Sequence, residues 1–311
     1  MAITAAMVKE LREMTGAGMM DCKKALTETN GDMDAAVEFL RKNGQAKAEK
    51  KAGRIAAEGL CKVVVKDDKV AAVVEVNSET DFVAKNEEFQ SFVAAVAEQA
   101  LASNSADIDA FLAENWNADS SKSVKDALVE KVAVIGENLT IRRFAKVEAA
   151  NGCVVSYTHG GGRIGVIVEA ETNVVNDAVK EALTNVAMQI AALAPKYVSQ
   201  DEISADYVEH EKEILKAQIM NDPKESQKPE KVIEGMIQGR IKKELKEICL
   251  VDQVYVKAED GKQSVGQYIE QVAKENSADL KVVKFVRFET GEGIEKKEED
   301  FAAEVAAQMN M

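Results

Sequence analysis

Residues 73–89 read VVEVNSETDFVAKNEEF, and the pattern changes twice within them. A valine-rich run typical of a strand ends at Val76, and Asn86 stands where a helix cap is expected. Between them, Asp81 and Phe82 stand side by side, although a carboxylate next to a large apolar ring is a poor core pair. Either Asp81 caps the turn and Phe82 covers the edge of the helix, or the pair forms a wedge presented to another protein.

The segments around this stretch predict one α+β unit. Before it, CKVVVK and VAAVVEV flank the turn Asp67-Asp68 as a β-hairpin. After it we expect a helix with one apolar face, then a second helix that starts at Ser123 with a capping-box pattern to Asp126. The strand LTIRRFAKVEA completes the order strand, strand, helix, helix, strand.

The same order occurs a second time, which indicates an internal duplication. GCVVSYTH and IGVIVEAE form a second hairpin, a helix runs over about 176–193, and SVGQYIEQVAKE and LKVVKFVRFE supply the last helix and strand. VVEVNSETDFV resembles VIVEAETNVV, and this comparison matches Thr80 with Thr172. Asp81 and Phe82 are matched with Asn173 and Val174, so only the first copy has the Asp-Phe pair, and the turn does not require that pair for folding. We expect two halves with antiparallel sheets, each sheet covered by helices on one face.

Three further segments complete the predicted α+β architecture. The N-terminus reads as a module of three helices, the third capped by Asp32 and ended by Gly44. An antiparallel helical hairpin, opened by a capping box at Ser199 and Glu202, interrupts the second half, and EEDFAAEVAAQM predicts a terminal helix. The predicted divisions are a helical module with linker (1–54), a first core half (55–148), a second core half (149–196 plus 250–290), the inserted hairpin (197–249) and a C-terminal helical module (291–311).

The composition excludes several classes of function. With 54 acidic and 40 basic residues, the net charge of −14 argues against direct binding to nucleic acid or anionic lipid. No apolar run is long enough to span a membrane, and the N-terminus is amphipathic and carries acids, so we expect a cytoplasmic protein with a protein or small-ligand partner. Hydrophobic residues make up 46% of the chain, enough to predict a folded core.

Motifs that would indicate chemistry are weak. GGGRIG (160–165) satisfies the dinucleotide-binding pattern, but it lies between two β-type runs, so a hairpin turn is the better interpretation. His159 and His210 are the only histidines, which is too few for most histidine-based metal and catalytic sites. Scattered cysteines favour buried, reduced thiols. We therefore expect no cofactor, no bound metal and no enzyme activity.

Four stretches resemble the bacterial translation elongation factor Ts family, in order and along essentially the whole chain. They are TAAMVKELREMTGAGMMDCKKALTETNGD, VNSETDFVAKN, HGGGRIGV and VRFETGEGIEKKEEDFAAEVAAQ. The chain departs from the family pattern at Ser78, where cysteine is frequent, and after the first glycine of the third stretch. The resemblance implies a guanine-nucleotide exchange factor for elongation factor Tu, with a ubiquitin-associated-like N-terminal module that contacts the GTPase domain.

The resemblance also implies roles for particular residues. Phe82 would be a wedge between helices of Tu, with Asp81 acting beside it on the magnesium site and Thr80 and Val83 shaping the loop. The other implied contacts with Tu are Met19, Met20 and Cys22 on the module edge, His159 on the second half, and Phe301 on the terminal helix. A homodimer within the complex with Tu is left open.

Two other hypotheses remain at this stage. An NAD-dependent enzyme would use Gly160 to Gly165 and would bind dinucleotide as an isolated chain. A non-catalytic scaffold would use the helical module to hold partners, with no effect of nucleotide on its affinity for Tu.

Overall fold

The computed structural model describes residues 3–295 of the chain. Within this range it confirms the predicted α+β class, with three N-terminal helices and antiparallel sheets. The terminal helix predicted from EEDFAAEVAAQM, which includes Phe301, lies outside the described residues. Among the helices of residues 3–295, none has the length and apolar character needed to cross a membrane.

The first three helices, α1 (Ala5–Thr15), α2 (Met19–Glu28) and α3 (Met33–Lys51), form a module with its own core. The side chains of Thr4 and Asp32 accept backbone N–H groups and so cap α1 and α3, which confirms the cap predicted at Asp32. Small and apolar side chains fill the space between the helices, namely Val8, Leu11, Cys22, Ala25, Leu26 and Ala36.

The prediction that Gly44 ends the third helix is wrong, because α3 continues through Gly44 to Lys51. Gly44 is buried, and a Cβ on it would lie 3.4 Å from the Cβ of Ala133 in the first core half. The missing side chain lets α3 approach the core closely, and this tertiary packing overrides the low helix propensity of glycine.

The first core half contains the predicted hairpin, helices and closing strand, together with short elements between the two long helices. Its elements are β1 (Glu58–Lys66), β2 (Val70–Ser78), α4 (Asp81–Ala84), α5 (Glu87–Ala102), α6 (Ile108–Ala113), β3 (Asn115–Trp116), β4 (Asp119–Ser123), α7 (Val124–Ile135) and β5 (Thr140–Glu148). The order in its main sheet is β1-β2-β5, with antiparallel pairing throughout. Asn86 caps α5, and Ser123 and Asp126 form the predicted capping box of α7.

The second core half repeats this plan around the helical hairpin. Its elements are β6 (Cys153–His159), β7 (Ile164–Thr172), α8 (Asp177–Leu193), α9 (Ala205–Asn221), α10 (Glu230–Ile248), α11 (Val265–Glu275) and β8 (Leu280–Glu289). Its antiparallel sheet has the order β6-β7-β8. The capping box predicted at Ser199 and Glu202 is wrong, because Ser199 opens a 3-10 turn and Ser204 caps α9.

The two central strands share an irregularity that defines how the halves correspond. The pairing of β2 with β5 shifts after Glu75, and the pairing of β7 with β8 shifts after Glu169. Both strands end in a hydroxyl that donates to the carbonyl two residues on, from Ser78 in β2 and from Thr172 in β7, each at 3.0 Å. Ser78 therefore corresponds to Thr172, and the match of Thr80 with Thr172 predicted from local similarity is wrong by two residues.

Each central strand is buried on both faces. In β2, Ala72 and Val74 pack against the helices of the first half, whereas Ala71 and Val73 pack against the other sheet. Ile167 of β7 belongs to this sheet-to-sheet layer. The helices therefore cover one face of each sheet, as predicted, and the remaining faces pack on each other.

A buried carboxylate connects the halves at one end of this layer. Glu75 of β2 is fully buried and accepts hydrogen bonds from Arg142 Nη1 (3.0 Å), Arg143 Nε (2.5 Å) and the Gly291 amide after β8 (2.8 Å). Burial alone would raise the pKa of Glu75, but the Gly291 amide and the two arginines together hold it below its ordinary value. The end of the second sheet is thereby tied to the first.

Candidate partner-binding surface

The connection between β2 and α5 contains a helix of one turn, α4. Thr80 caps it by accepting the Val83 amide, and Ala84 is buried beneath it. Phe82 points away from the core, with 80% of its area exposed. An aromatic ring left in water loses the burial that usually stabilises such side chains. The structure thus contradicts the alternative in which Phe82 covers the edge of the following helix.

This connection is longer than the matching one in the second half. Seven residues lie between Ser78 and the α5 cap Asn86, whereas three lie between Thr172 and the α8 cap Asn176. The first half therefore carries four extra residues, the length of α4. Phe82 belongs to an addition that the repeated α+β unit does not need.

Glu137 holds the start of the connection in place. One carboxylate oxygen accepts the amides of Glu79 (3.1 Å) and Thr80 (3.0 Å), and the other accepts the Thr80 hydroxyl (2.7 Å). Glu137 follows Gly136, which ends α7 in a left-handed conformation that suits glycine. The carboxylate is thus projected from the end of a packed helix.

A second set of bonds runs in the opposite direction. Glu79 Oε1 accepts the Asn138 amide at 2.6 Å and lies 3.5 Å from Arg54 Nη1. Asn138 is buried and donates its side-chain amide to the Arg54 carbonyl at 2.8 Å. Arg54 follows α3 in the chain, and Lys51 of α3 donates to the Gly136 carbonyl. The base of the connection therefore joins α7, β2 and the end of the N-terminal module.

Asp81 is exposed beside Phe82 and faces a lysine one turn later. Lys85 Nζ lies 2.6 Å from its carboxylate and 6.0 Å from the centre of the Phe82 ring. The hydrogen bond from Lys85 holds the pKa of the Asp81 carboxyl below its usual value. A charged group and a bare ring thus stand together on a firmly held turn.

The glycine-rich stretch is a hairpin turn, as the sequence predicts. Gly160, Gly161 and Gly162 have positive φ and join β6 to β7 instead of opening a helix. Gly165 lies where the sheets approach, and a Cβ there would come within 3.0 Å of Val63 Cγ2. Packing accounts for these glycines, and the geometry does not match a dinucleotide site, which needs a helix after the motif.

The other predicted site residues are dispersed. Met19 and Met20 are exposed at the start of α2, whereas Cys22 is fully buried in the module core, where burial raises the pKa of its thiol. His159 is exposed at the end of β6, with Nδ1 2.9 Å from the Tyr157 hydroxyl. The structure therefore keeps the Cys22 side chain away from the exposed edge formed by the two methionines.

Sequence reasoning missed Glu137 and Asn138. They lie 57 or more residues from the groups they hold in Glu79 and Thr80, so no local pattern connects them. The available signal was a glycine that ends a helix, followed at once by two polar residues and a strand. Such a corner is a frequent place for side chains that bind neighbouring loops.

Comparison with known proteins identifies similar chains of nearly the same length. The family model described as Elongation factor TS matches residues 79–292. Elongation factor Ts of Clostridioides difficile (strain 630) is 54% identical over 308 residues, 99% of each chain. Those of Clostridium tetani (strain Massachusetts / E88), 50% identical, and Clostridium novyi (strain NT), 49% identical, also cover 99% of both chains.

Proposed function

The chain belongs to the elongation factor Ts family, a family of translation elongation factors, and we propose that it exchanges the guanine nucleotide of elongation factor Tu. The single observation that supports this mechanism best is the exposed ring of Phe82 on a four-residue addition clamped to the core. In this proposal the protein carries out no chemical reaction, holds no cofactor and acts in the cytoplasm, where protein synthesis takes place.

Phe82 acts as a wedge in this mechanism. A ring that is 80% exposed in the free protein gains apolar burial when it enters a gap between helices of Tu. Because Glu137 already holds the base of α4, little conformational entropy is lost on docking. Thr80 and Val83 set the direction of the turn through the cap between them. The binding energy can therefore be used to distort the partner.

Asp81 brings a negative charge to the same place. The nucleotide on a GTPase is held partly by Mg²⁺ that bridges phosphate and protein oxygens. Displacing that ion removes a large favourable electrostatic interaction, so GDP leaves faster. The factor thereby lowers the equilibrium affinity of Tu for nucleotide. Linkage then requires bound nucleotide to lower the affinity of Tu for the factor by the same ratio, so incoming GTP releases the factor from Tu.

The remaining contacts belong to the same proposal. Met19 and Met20 present exposed, adaptable thioethers that suit a protein surface, and His159 stands exposed on the second half. Phe301 would add a contact from beyond the described residues. A second copy of the chain can join the complex with Tu, and no direct contact with nucleic acid or membrane is needed.

The test is the release rate of a fluorescent GDP analogue from Tu, measured by stopped flow at limiting concentrations of the factor. Phe82→Ala removes the wedge. Because a central aromatic contact contributes about 2 kcal/mol, we expect the variant to release GDP about 30-fold more slowly. Val175→Ala is the matched control, because Val175 is an exposed apolar residue on the corresponding connection of the second half. We expect the control to stay within about twofold of the wild type.

The magnesium part of the mechanism is tested separately. Asp81→Ala is compared with the wild type in excess Mg²⁺ and after chelation. We expect the variant to be slower in Mg²⁺ and equal to the wild type without it, because the ion is then already absent.

Unchanged release by Phe82→Ala would contradict the wedge, and affinity for Tu that does not respond to nucleotide would favour the scaffold hypothesis. Dinucleotide binding by the isolated chain would favour the enzyme hypothesis instead.

A further inference from the structure

We propose that Glu137 is the positioning residue of the exchange segment, defined as residues 79–85, and that its carboxylate holds α4 in the orientation that presents Phe82. The inference rests on the proposed function and extends it to a residue that lies outside the segment. Glu137 acts through the backbone of the segment, since its carboxylate binds the segment base.

The segment needs an external support because α4 is short. A helix of one turn fixes several backbone angles for few hydrogen bonds and is unstable alone. Within the segment, the Thr80 hydroxyl accepts the Val83 amide at a long 3.4 Å, and Asp81 pairs with Lys85 in solvent. Exposed ion pairs contribute little to stability. The orientation of Phe82 must therefore come mainly from outside the segment.

Glu137 supplies three acceptor contacts at the point where the segment leaves β2. It accepts two successive amides, those of Glu79 and Thr80, and the hydroxyl of the residue that caps α4. Amides and hydroxyls bonded to a carboxylate form stronger hydrogen bonds than neutral pairs do. Because the hydroxyl of Thr80 both caps α4 and donates to Glu137, the carboxylate sets the direction in which the short helix starts.

The second half shows what the corresponding connection does without the extra turn. There Asn173 accepts the Asp279 amide at 2.8 Å, and the chain enters α8 after three residues. The added turn of the first half and the carboxylate that holds its base thus occur together. This pairing is expected if Glu137 serves the added segment and not the repeated fold.

The expected effect of losing Glu137 is on the catalysed release step and not on the encounter with Tu. Hydrogen bonds to a charged acceptor are strong enough that losing their net contribution shifts a local equilibrium by about tenfold. In Glu137→Ala the segment samples other orientations, so Phe82 is correctly placed in a smaller fraction of complexes. We expect the release rate at saturating factor to fall about tenfold, and the affinity for nucleotide-free Tu, where Phe82 is also docked, to fall by up to the same ratio.

Glu114→Ala is the matched control for general destabilisation. Glu114 is another half-buried carboxylate of the same core half with three side-chain donors, from Gln99, Ser103 and Ser105, and none of these belongs to the exchange segment. Comparable thermal midpoints for the two variants would show comparable damage to the fold. We expect Glu114→Ala to keep the wild-type release rate. If Glu137→Ala does not fold, Glu137→Gln keeps the size of the side chain, leaves the Thr80 cap in place and replaces one of the two accepting oxygens by an NH2 group.

A double-mutant cycle with Phe82→Ala separates positioning from a merely structural role. If Glu137 acts through the exchange segment, adding Glu137→Ala to Phe82→Ala slows release by much less than tenfold, because only the contribution of Asp81 remains to be lost. Multiplying losses in the double variant, or a wild-type rate for Glu137→Ala while Phe82→Ala is slow, would overturn this inference alone. A wild-type rate for Phe82→Ala would overturn the wedge and this inference with it.

Discussion

Replacing the buried Glu75 by glutamine perturbs the contact that ties the two core halves together. The substitution keeps the shape of the side chain and removes its charge, so the bonds to Arg142 and Arg143 lose their ionic character. The NH2 group of glutamine also replaces one accepting oxygen, so it faces either Arg143 or the donors from Arg142 and Gly291. Breaking one partner of a buried pair costs about 3–5 kcal/mol. Both arginines are about 30% exposed and regain some hydration, so we expect a loss of about 3 kcal/mol.

Urea unfolding of the full chain measures this loss. Trp116 is buried in the first half and reports its unfolding by fluorescence, while circular dichroism reports the whole chain. A loss of about 3 kcal/mol lowers the midpoint by about 1 M urea. Glu292→Gln is the control, because that half-exposed carboxylate pairs with Arg143 and Arg287 and should cost less than about 1 kcal/mol.

The pH dependence gives a second check with a definite sign. The pKa of Glu75 is lowered in the folded protein, so its contribution is complete above the unfolded value, near 4.3, and is lost as pH falls through the folded value. The difference between wild type and Glu75→Gln should therefore be constant from neutral pH to about 5 and shrink below about 4. Equal midpoints at pH 7, or a difference that persists unchanged to pH 3, would refute the reasoning.

Two further predictions concern packing and thiols. Gly165→Ala should destabilise the protein by about 1–3 kcal/mol, because the new Cβ would lie 3.0 Å from Val63 Cγ2 and 3.1 Å from Val73 Cγ2. Gly239→Ala on the open face of α10 is the control and should stabilise the protein by up to about 1 kcal/mol. Thermal midpoints that shift in the same direction for both variants would contradict the close approach of the sheets. All four cysteines, Cys22, Cys61, Cys153 and Cys249, are free and buried, and burial raises the pKa of the Cys61 thiol to about 11. A thiol reagent at pH 7 should therefore label the native protein slowly, whereas it should label the urea-unfolded protein at all four sites. Rapid labelling of the native chain would show that the core opens readily.

The candidate surface could be predicted from the sequence only in part. Asp81 and Phe82 stood out because neither core packing nor the repeat required them, and the structure leaves Phe82 exposed. The length of the addition was not accessible, because local similarity matched Thr80 with Thr172 when the strand registers match Ser78 with Thr172. A two-residue shift preserves the alternation of a strand, so the pattern alone could not detect it.

The sequence by itself determined the long helices and strands of the two halves, several of their caps and their repeated order, because these depend on residues a few positions apart. Asn86 and Ser123 cap the helices that the spacing predicts. Only the tertiary structure decided that the two sheets pack face to face, that Glu75 is buried among arginines, and that Glu137 holds the exchange segment. These contacts join residues far apart in the chain, and nothing in the local spacing of either partner specifies the other.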